Sequence, residues 1–226
     1  MSSGRSTHWA WQAGVEQELG FWRAYLHTRG ADWPDDFRLR FDPNAPLQPH
    51  VAERLPQSVP SSQVEILDCA AGPATTLGKT LHGVRLHIVA VDALTEQYRD
   101  LLRECGLTPP VPSIACEVER LDTMFDADRF DLVYMRFALD HCYDPITALH
   151  QMVRVVRSGG VVMVEHYRDE HEDRYQGLKQ WTLVPQGGDL VIKNAEHRLS
   201  VTDELAQVEI EVVSNPSWLT VILHKA

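Results

Sequence analysis

The chain has 226 residues, 44% of them hydrophobic, and carries 21 basic against 32 acidic side chains for a net charge of -11. This length suits one catalytic domain with an appendage, and an acidic chain without a Lys/Arg-rich run disfavours nucleic acid as a partner. The sequence starts without an apolar signal core, and no later stretch approaches the roughly 20 apolar residues that cross a bilayer. We therefore expect a soluble, cytoplasmic protein without a membrane partner.

An aromatic-rich segment occupies the first 55 residues and contains four of the six tryptophans. A helix is predicted over residues 15–28, because apolar side chains recur there at three- and four-residue steps. These side chains are Val15, Leu19, Trp22 and Leu26. A series of prolines then prevents any long regular element. We therefore predict two units, an aromatic-rich helical lid over residues 1–55 and a catalytic core over residues 56–226.

From residue 64 onward, short apolar runs alternate with helical segments, which is typical of a parallel α/β sheet. The predicted parallel strands are 64–69, 86–91, 113–116, 130–135 and 161–165. The predicted crossover helices are 75–81, 96–105 and 146–156. Two further β-rich runs, 207–213 and 218–224, are separated by a Ser-Asn-Pro-Ser turn and are expected to complete one edge of the sheet as antiparallel neighbours.

A loop of small residues, Asp68-Cys69-Ala70-Ala71-Gly72-Pro73-Ala74, follows the first predicted strand. Small residues are needed where a ligand lies directly against the backbone. Asp92 ends the second strand, about twenty residues further on, where a carboxylate can bind both hydroxyls of a ribose. Loop and acid together predict a nucleoside site. A dinucleotide site is the weaker interpretation, because its fingerprint has three glycines and this loop has one between alanines.

This loop resembles the first motif of the class I S-adenosylmethionine-dependent methyltransferases, an acid followed by a glycine-rich loop, with alanine here in place of the outer two glycines. Further matches follow in order at Asp92, 117–121, 130–133 and 157–160. The resemblance covers residues 64–166. It implies a Rossmann-like class I methyltransferase fold, with a seven-stranded, mostly parallel sheet that has an antiparallel edge, plus the N-terminal helical lid.

The resemblance also implies where S-adenosylmethionine binds. Asp68 and the backbone of residues 70–72 would face its methionyl end, Asp92 its ribose, and Glu117 with the Val118 amide its adenine. The full set of expected cofactor contacts is Asp68, Ala70, Gly72, Asp92, Ala93, Glu117, Val118 and Arg136. No metal site is expected, because the histidines and acids around residues 166–172 lack the HExxH spacing of zinc proteases.

The segment after the fourth strand is where this fold places groups that face the acceptor. His141 is therefore a candidate base, and an equal alternative is that its ring fixes the loop before Tyr143. Tyr175 is a second catalytic candidate, because its phenol can hydrogen-bond an acceptor. The predicted substrate and lid residues are aromatic, which suits a sulfonium cation: Trp9, Trp22, Tyr25, Phe137, Tyr167 and Trp181. Ordinary packing is the alternative interpretation for this aromatic set.

These features predict a biosynthetic enzyme that transfers a methyl group to oxygen or nitrogen of a small molecule, working as a monomer or homodimer. One alternative is an intramolecular cyclase similar to the azetidine-2-carboxylate synthases, which release methylthioadenosine and need no acceptor. Another is a nucleoside-binding regulator on a degenerate fold, although Asp68, Gly72 and Asp92 are all present. A closed lid would favour methyl transfer by keeping water away from the nucleophile.

Overall fold

A computed structural model describes residues 4–55, 63–168 and 177–226. Three helices come first: α1 (Gly4–His27), α2 (Pro34–Phe41) and α3 (Pro49–Ala52). Helix α1 ends because Arg29 and Gly30 take left-handed φ values of 53° and 80°, and the Gly30 amide donates a 2.9 Å hydrogen bond to the Tyr25 carbonyl. The helix starts earlier than its apolar pattern indicates, and Trp11 in that earlier part also packs against buried side chains.

Ten strands follow: β1 (Gln63–Cys69), β2 (Arg85–Asp92), β3 (Ser113–Ala115), β4 (Phe130–Arg136), β5 (Val156–Tyr167), β6 (Thr182–Gln186), β7 (Asp189–Lys193), β8 (Arg198–Ser200), β9 (Glu209–Ser214) and β10 (Trp218–His224). Seven of them form the main sheet in the order β3-β2-β1-β4-β5-β10-β9. The pairings from β3 to β5 are parallel, whereas β10 is antiparallel to both β5 and β9. This arrangement confirms the predicted sheet with its antiparallel edge.

Two of the predicted crossover helices are present, as α4 (Thr95–Glu104) and α5 (Pro145–Val155), and a short α6 (Val201–Glu204) precedes β9. Asp144 caps helix α5, because its carboxylate accepts a 3.0 Å hydrogen bond from the Thr147 amide, and a proline occupies the first helical position. Its buried face includes Leu149 and Met152, which belong to the largest hydrophobic cluster.

The connection between β1 and β2 contains no helix, so the helix predicted over residues 75–81 is wrong. The backbone there bonds to the N-terminal unit instead of to itself. The Gln48 side chain donates to the Thr76 carbonyl at 2.7 Å and accepts from the Gly78 amide at 3.1 Å. Gly78 also lies so close to Pro46 that any Cβ would overlap the Pro46 backbone. These long-range bonds replace the local ones that a helix needs.

The N-terminal helices pack on the rest of the chain at two places. Leu47 and Val51 share a buried cluster with Ile66 of β1 and Tyr134 of β4, where the missing crossover helix would otherwise lie. Side chains of α1, among them Trp22, share a second cluster with α4. The division into units of 1–55 and 56–226 stays a prediction.

Strands β6, β7 and β8 form a separate antiparallel sheet that the sequence pattern did not indicate. Gly187 and Gly188 join β6 to β7 with φ values of 61° and 89°, as a two-residue hairpin turn requires. Leu183 and Ile192 join this sheet to the main core. In the described parts of the chain, no helix has the length and apolar character that crossing a membrane requires.

Candidate functional site

A cavity of about 700 Å³ lies at the carboxyl ends of β1, β2 and β4 and is bounded by α1 and α2 on its other side. Ligands bind at this edge of open parallel sheets. The structure brings most of the predicted site residues to it: Trp22, Tyr25, Asp68, Ala70, Gly72, Asp92, Ala93, Glu117, Val118, Arg136, Phe137, His141 and Tyr167 all line the cavity.

Two of the predicted site residues that the structure describes do not line this cavity. Trp9 is 72% exposed, because the helical period of about 3.6 residues places positions 9 and 22 on nearly opposite faces of α1. Trp181 is buried in the main core, and its indole nitrogen donates to the Cys142 carbonyl at 2.9 Å. Both aromatic assignments are therefore corrected to a solvent-facing and a core position. Tyr175 lies outside the described residues.

The loop after β1 holds two residues in the left-handed region, Ala70 at φ 53° and Gly72 at φ 68°. The Gly72 amide donates to Asp92 Oδ2 at 2.9 Å. A Cβ on Gly72 would come within 2.8 Å of the Trp22 ring. Glycine at position 72 thus permits both the backbone conformation and the close approach of α1 to the loop.

Asp92 is buried beneath this loop. Its second oxygen, Oδ1, accepts from the Leu94 amide at 2.8 Å. Burial raises the pKa of the Asp92 carboxyl to about 6, although the hydrogen bonds from Leu94 and Gly72 oppose that shift. Each carboxylate oxygen keeps a further lone pair, so the pair of ribose hydroxyls expected from the sequence can still be accepted there.

Asp68 is the buried acid at the end of β1. Desolvation raises its pKa to about 7, while a hydrogen bond with Thr75 and the nearby charges of Arg40 and Lys79 oppose the shift. Its Oδ2 atom has no hydrogen-bond partner among the described residues. A buried acceptor without a donor indicates a position where a ligand supplies one.

Arg40 of α2 connects the N-terminal helices to the loop after β1. The sequence pattern did not indicate this connection. Its Nε donates to Asp36 Oδ2 at 2.8 Å. Its Nη1 donates to the carbonyls of Ala71 and Ala74, at 3.3 and 2.5 Å. The Tyr25 hydroxyl of α1 donates to the same Asp36 oxygen at 2.7 Å. The four-residue spacing of Asp36 and Arg40 was the available signal, but the surrounding prolines obscured the helix.

A second acidic group lies near the end of β3. Glu117 accepts a 3.0 Å hydrogen bond from the Tyr143 hydroxyl, and Trp11 of α1 contacts the Tyr143 ring edge-on at 6.5 Å. Both aromatic residues line the cavity with Val118. This end therefore combines a carboxylate, aromatic surface and a nearby backbone amide, which together suit a nucleobase.

The opposite end contains a buried carboxylate between two imidazoles. Asp140 Oδ1 lies 2.9 Å from His166 Nε2 and 3.8 Å from His141 Nε2. Burial alone would raise the pKa of Asp140, but the charges of His141, His166 and Lys179 overcome it and lower the pKa to about 2. Asp140 is therefore a carboxylate at neutral pH. The sequence pattern pointed to His141 without indicating this partner.

A family model described as a methyltransferase domain matches residues 67–164. Over these residues the chain is thus similar to methyltransferases, and S-adenosylmethionine-dependent methyltransferases share its fold. A curated relative, the ubiquinone/menaquinone biosynthesis C-methyltransferase UbiE of a Shewanella species, is 28% identical over 141 residues, which cover 59% of this chain and 55% of the relative. The match thus spans about half the length of that relative.

Solved structures of class I methyltransferase folds show the same architecture. The 1,6-didemethyltoxoflavin-N1-methyltransferase of Burkholderia thailandensis is 17% identical, with a TM-score of 0.51 over 96% of this chain and 89% of its own. The [4+2]-cyclase SpnF is 18% identical, with a TM-score of 0.52 over 78% of each chain. At these identities the likeness concerns the fold alone.

S-adenosylmethionine is the cofactor of this family, and the residues present fit it. The unpartnered Asp68 Oδ2 suits the donors of a methionyl ammonium group. Asp92 ends β2 and Glu117 follows β3, and these two strands are neighbours in the sheet. A ribose on Asp92 would therefore place its attached adenine toward Glu117. The loop directly after β1, residues 70–74, consists of alanine, glycine and proline and so leaves room for a ligand against its backbone.

Proposed function

We propose that this chain transfers the sulfonium methyl group of S-adenosylmethionine to an oxygen or nitrogen atom of a small molecule, in a biosynthetic reaction. The observation that carries the proposal is a cavity with two different ends. The acids Asp68, Asp92 and Glu117 lie on the cofactor side, and a carboxylate–imidazole group lies on the other. Bound cofactor supplies an electrophilic methyl group, to which an acceptor lone pair bonds while the carbon–sulfur bond breaks.

The cofactor side favours a cation. Asp68, Asp92 and Glu117 place carboxyl groups around the cofactor, and carboxylates in a partly desolvated cavity attract a sulfonium and an ammonium group more strongly than in bulk water. Arg136 is the guanidinium among the proposed cofactor contacts, and its buried Nε has no hydrogen-bond partner in the described residues. We assign it to the methionyl carboxylate, because Arg40 already uses its donors on Asp36 and the loop.

On the acceptor side, His141 is the proposed base. Its imidazole lines the cavity and accepts the proton that an O–H or N–H acceptor loses as the new bond forms. Asp140 lies 3.8 Å away and stabilises the resulting imidazolium. The alternative, in which His141 only fixes the loop, predicts that its replacement by Gln leaves the pH dependence of turnover unchanged.

The helical unit supplies the proposed lid. The Trp22 ring is buried against the glycine of the loop, with its indole nitrogen donating to Glu18 at 2.7 Å. Tyr25 is held by Asp36. Closure of these aromatic side chains over the cofactor would exclude water from the nucleophile and orient the reacting atoms.

Mass spectrometry of the purified chain incubated with S-adenosylmethionine tests this function. We expect no turnover with the cofactor alone, and S-adenosylhomocysteine when a suitable small-molecule acceptor is added. Methylthioadenosine together with a cyclised amino acid, formed without an acceptor, would instead establish the intramolecular cyclase. An absence of cofactor binding would contradict both enzymes and favour a degenerate binding module.

Replacement of Asp92 tests the ribose contact. Asp92→Asn is expected to weaken S-adenosylmethionine binding by about 10- to 100-fold, since a charged acceptor of hydroxyl groups is worth about 1.5–3 kcal/mol. Calorimetric titration measures this change. Asp100→Asn is the control, because Asp100 lies on the solvent-facing side of α4, where it forms an exposed pair with Arg103. Equal affinities of the two variants would place the ribose elsewhere.

The pH dependence of cofactor binding gives a further prediction. Since burial raises the pKa values of Asp92 to about 6 and Asp68 to about 7, both acids gain protons as the pH falls toward 5. Protonation removes the negative charge that attracts the cofactor, so affinity should rise between about pH 5 and pH 7.5. Asp92→Asn should flatten the lower part of that curve. An affinity that is constant over this range would show that neither acid changes charge in the cofactor site.

A further inference from the structure

Three aromatic side chains meet where β4 and β5 end and β10 begins. The rings of Phe137 and Tyr167 are stacked with centroids 4.4 Å apart and planes inclined by 15°. The Trp218 ring stands edge-on to both, at 5.3 and 5.4 Å. We call Phe137, Tyr167 and Trp218 the aromatic shelf. Phe137 and Tyr167 line the cavity beside His166.

The orientation of the shelf depends on an unusual backbone. Phe137 has a φ of 56°, a left-handed conformation that is rare for a bulky residue and costs on the order of 1 kcal/mol. The conformation is held by the Phe137 amide, which donates to the Glu165 carbonyl at 2.9 Å. The Arg136 guanidinium also lies 4.8 Å from the Phe137 ring centroid. Such strain is concentrated at functional sites, where it fixes the direction of a side chain.

Tyr167 retains a free surface that ordinary core packing would cover. Its side chain is 42% exposed although one side stacks on Phe137. On the helical side of the same cavity, Phe21 and Trp33 are 46% and 52% exposed, with ring centroids 6.1 Å apart. Flat apolar surfaces from both units therefore border one opening, and large exposed aromatic groups beside a cavity indicate a binding surface.

We propose that the aromatic shelf is the acceptor subsite and that it takes a planar aromatic small molecule, stacked on Tyr167. This inference rests on the proposed methyl transfer. A flat ring matches the Tyr167 face over its whole area and gains the offset stacking of two π systems, worth about 0.5–1.5 kcal/mol beyond area burial. A saturated ring of the same size is puckered and lacks a π face. His141 and His166, whose imidazoles flank Asp140, line the same cavity. The proposal places the atom to be methylated beside them.

Naphthol and its saturated analogue decahydronaphthol test the subsite directly. Binding of each to the complex of the chain with S-adenosylhomocysteine is measured by ligand-observed NMR and calorimetry, so that no turnover is needed. We expect naphthol to bind about 2- to 12-fold more tightly than decahydronaphthol. Tyr167→Leu, which keeps an apolar side chain but removes the ring, should abolish this preference. Tyr167→Phe should keep it.

Equal binding of the two compounds, or a preference for naphthol that survives Tyr167→Leu, would overturn the proposal. Affinity for S-adenosylhomocysteine is measured for each variant, and an intact value shows that the variant is folded. A naphthol preference without methylation of any acceptor would contradict the proposed function while supporting the subsite. Methylation restricted to non-planar acceptors would support the function and overturn the subsite.

Discussion

Arg40→Ala is expected to lower the free energy of unfolding by about 3 kcal/mol, because removal of one partner leaves a part-buried charge and backbone acceptors unsatisfied. Asp36 would lose its close cation, and the carbonyls of Ala71 and Ala74 would lose their shared donor. The loop proposed to receive the cofactor would loosen, so affinity for S-adenosylmethionine should fall as well. Urea denaturation and calorimetric titration measure the two effects.

Arg38→Ala is the matched control for this change. Arg38 lies on the same helix and also pairs with an aspartate, Asp35, at 2.8 Å, but both side chains are largely exposed. Exposed pairs contribute little, so the control should stay within about 0.5 kcal/mol of the parent chain and bind the cofactor normally. Similar losses in both variants would show that Arg40 acts as an ordinary surface charge.

Gly72→Ala should be the most damaging small substitution in the loop. Alanine at a φ of 68° is strained, and its Cβ would lie 2.8 Å from the Trp22 ring. Strain of about 1 kcal/mol and overpacking of about 1–3 kcal/mol together predict a loss of about 2–4 kcal/mol. Displacement of Trp22 would also disturb the proposed lid, so cofactor binding should weaken. Thermal and urea denaturation, with cofactor titration, measure the outcome.

Gly83→Ala separates strain from contact. Gly83 has a φ of 74° but no atom lies within 4 Å of the added Cβ, so only the loss of about 1 kcal/mol is expected. In a double variant, Trp22→Ala should recover part of the Gly72→Ala loss, because the two side chains would no longer collide. Strict additivity of the two single changes would contradict a direct contact between helix α1 and the loop.

The main sheet could be predicted because its signals are local. Apolar runs such as 130–135 are buried on both faces of a parallel sheet, and turn residues mark where each run ends. The connection after β1 could not be predicted in this way. Its small residues allow a helix, but bonds from Gln48 and contact with Pro46 decide its conformation, and those depend on segments that are distant along the chain.

The site shows the same limit. Asp68, Gly72 and Asp92 follow from motif spacing, since the two acids lie at strand ends and Gly72 lies in the loop after the first strand. The contact of Asp140 with His166 joins residues on different elements, and only the pairing of β4 with β5 brings them together. Aromatic composition marked Trp9 and Trp181 as well as Trp22, because composition does not state which face of an element a side chain occupies.

The absence of a helix after β1 affects how this chain could be recombined with its relatives. Gln48 and Gly78, which are 30 positions apart, bond to each other. Hydrogen bonds from residues 45–48 therefore hold the connection after β1 in its conformation. A chimera that exchanged the N-terminal segment at residue 55 would separate this connection from the residues that bond to it. A junction just before Pro34 would retain α2, α3 and Arg40 with the sheet. The segment from α2 to α3 is therefore inherited with the catalytic core, and an exchanged α1 would have to keep the contacts of Trp22 with Gly72 and of Tyr25 with Asp36.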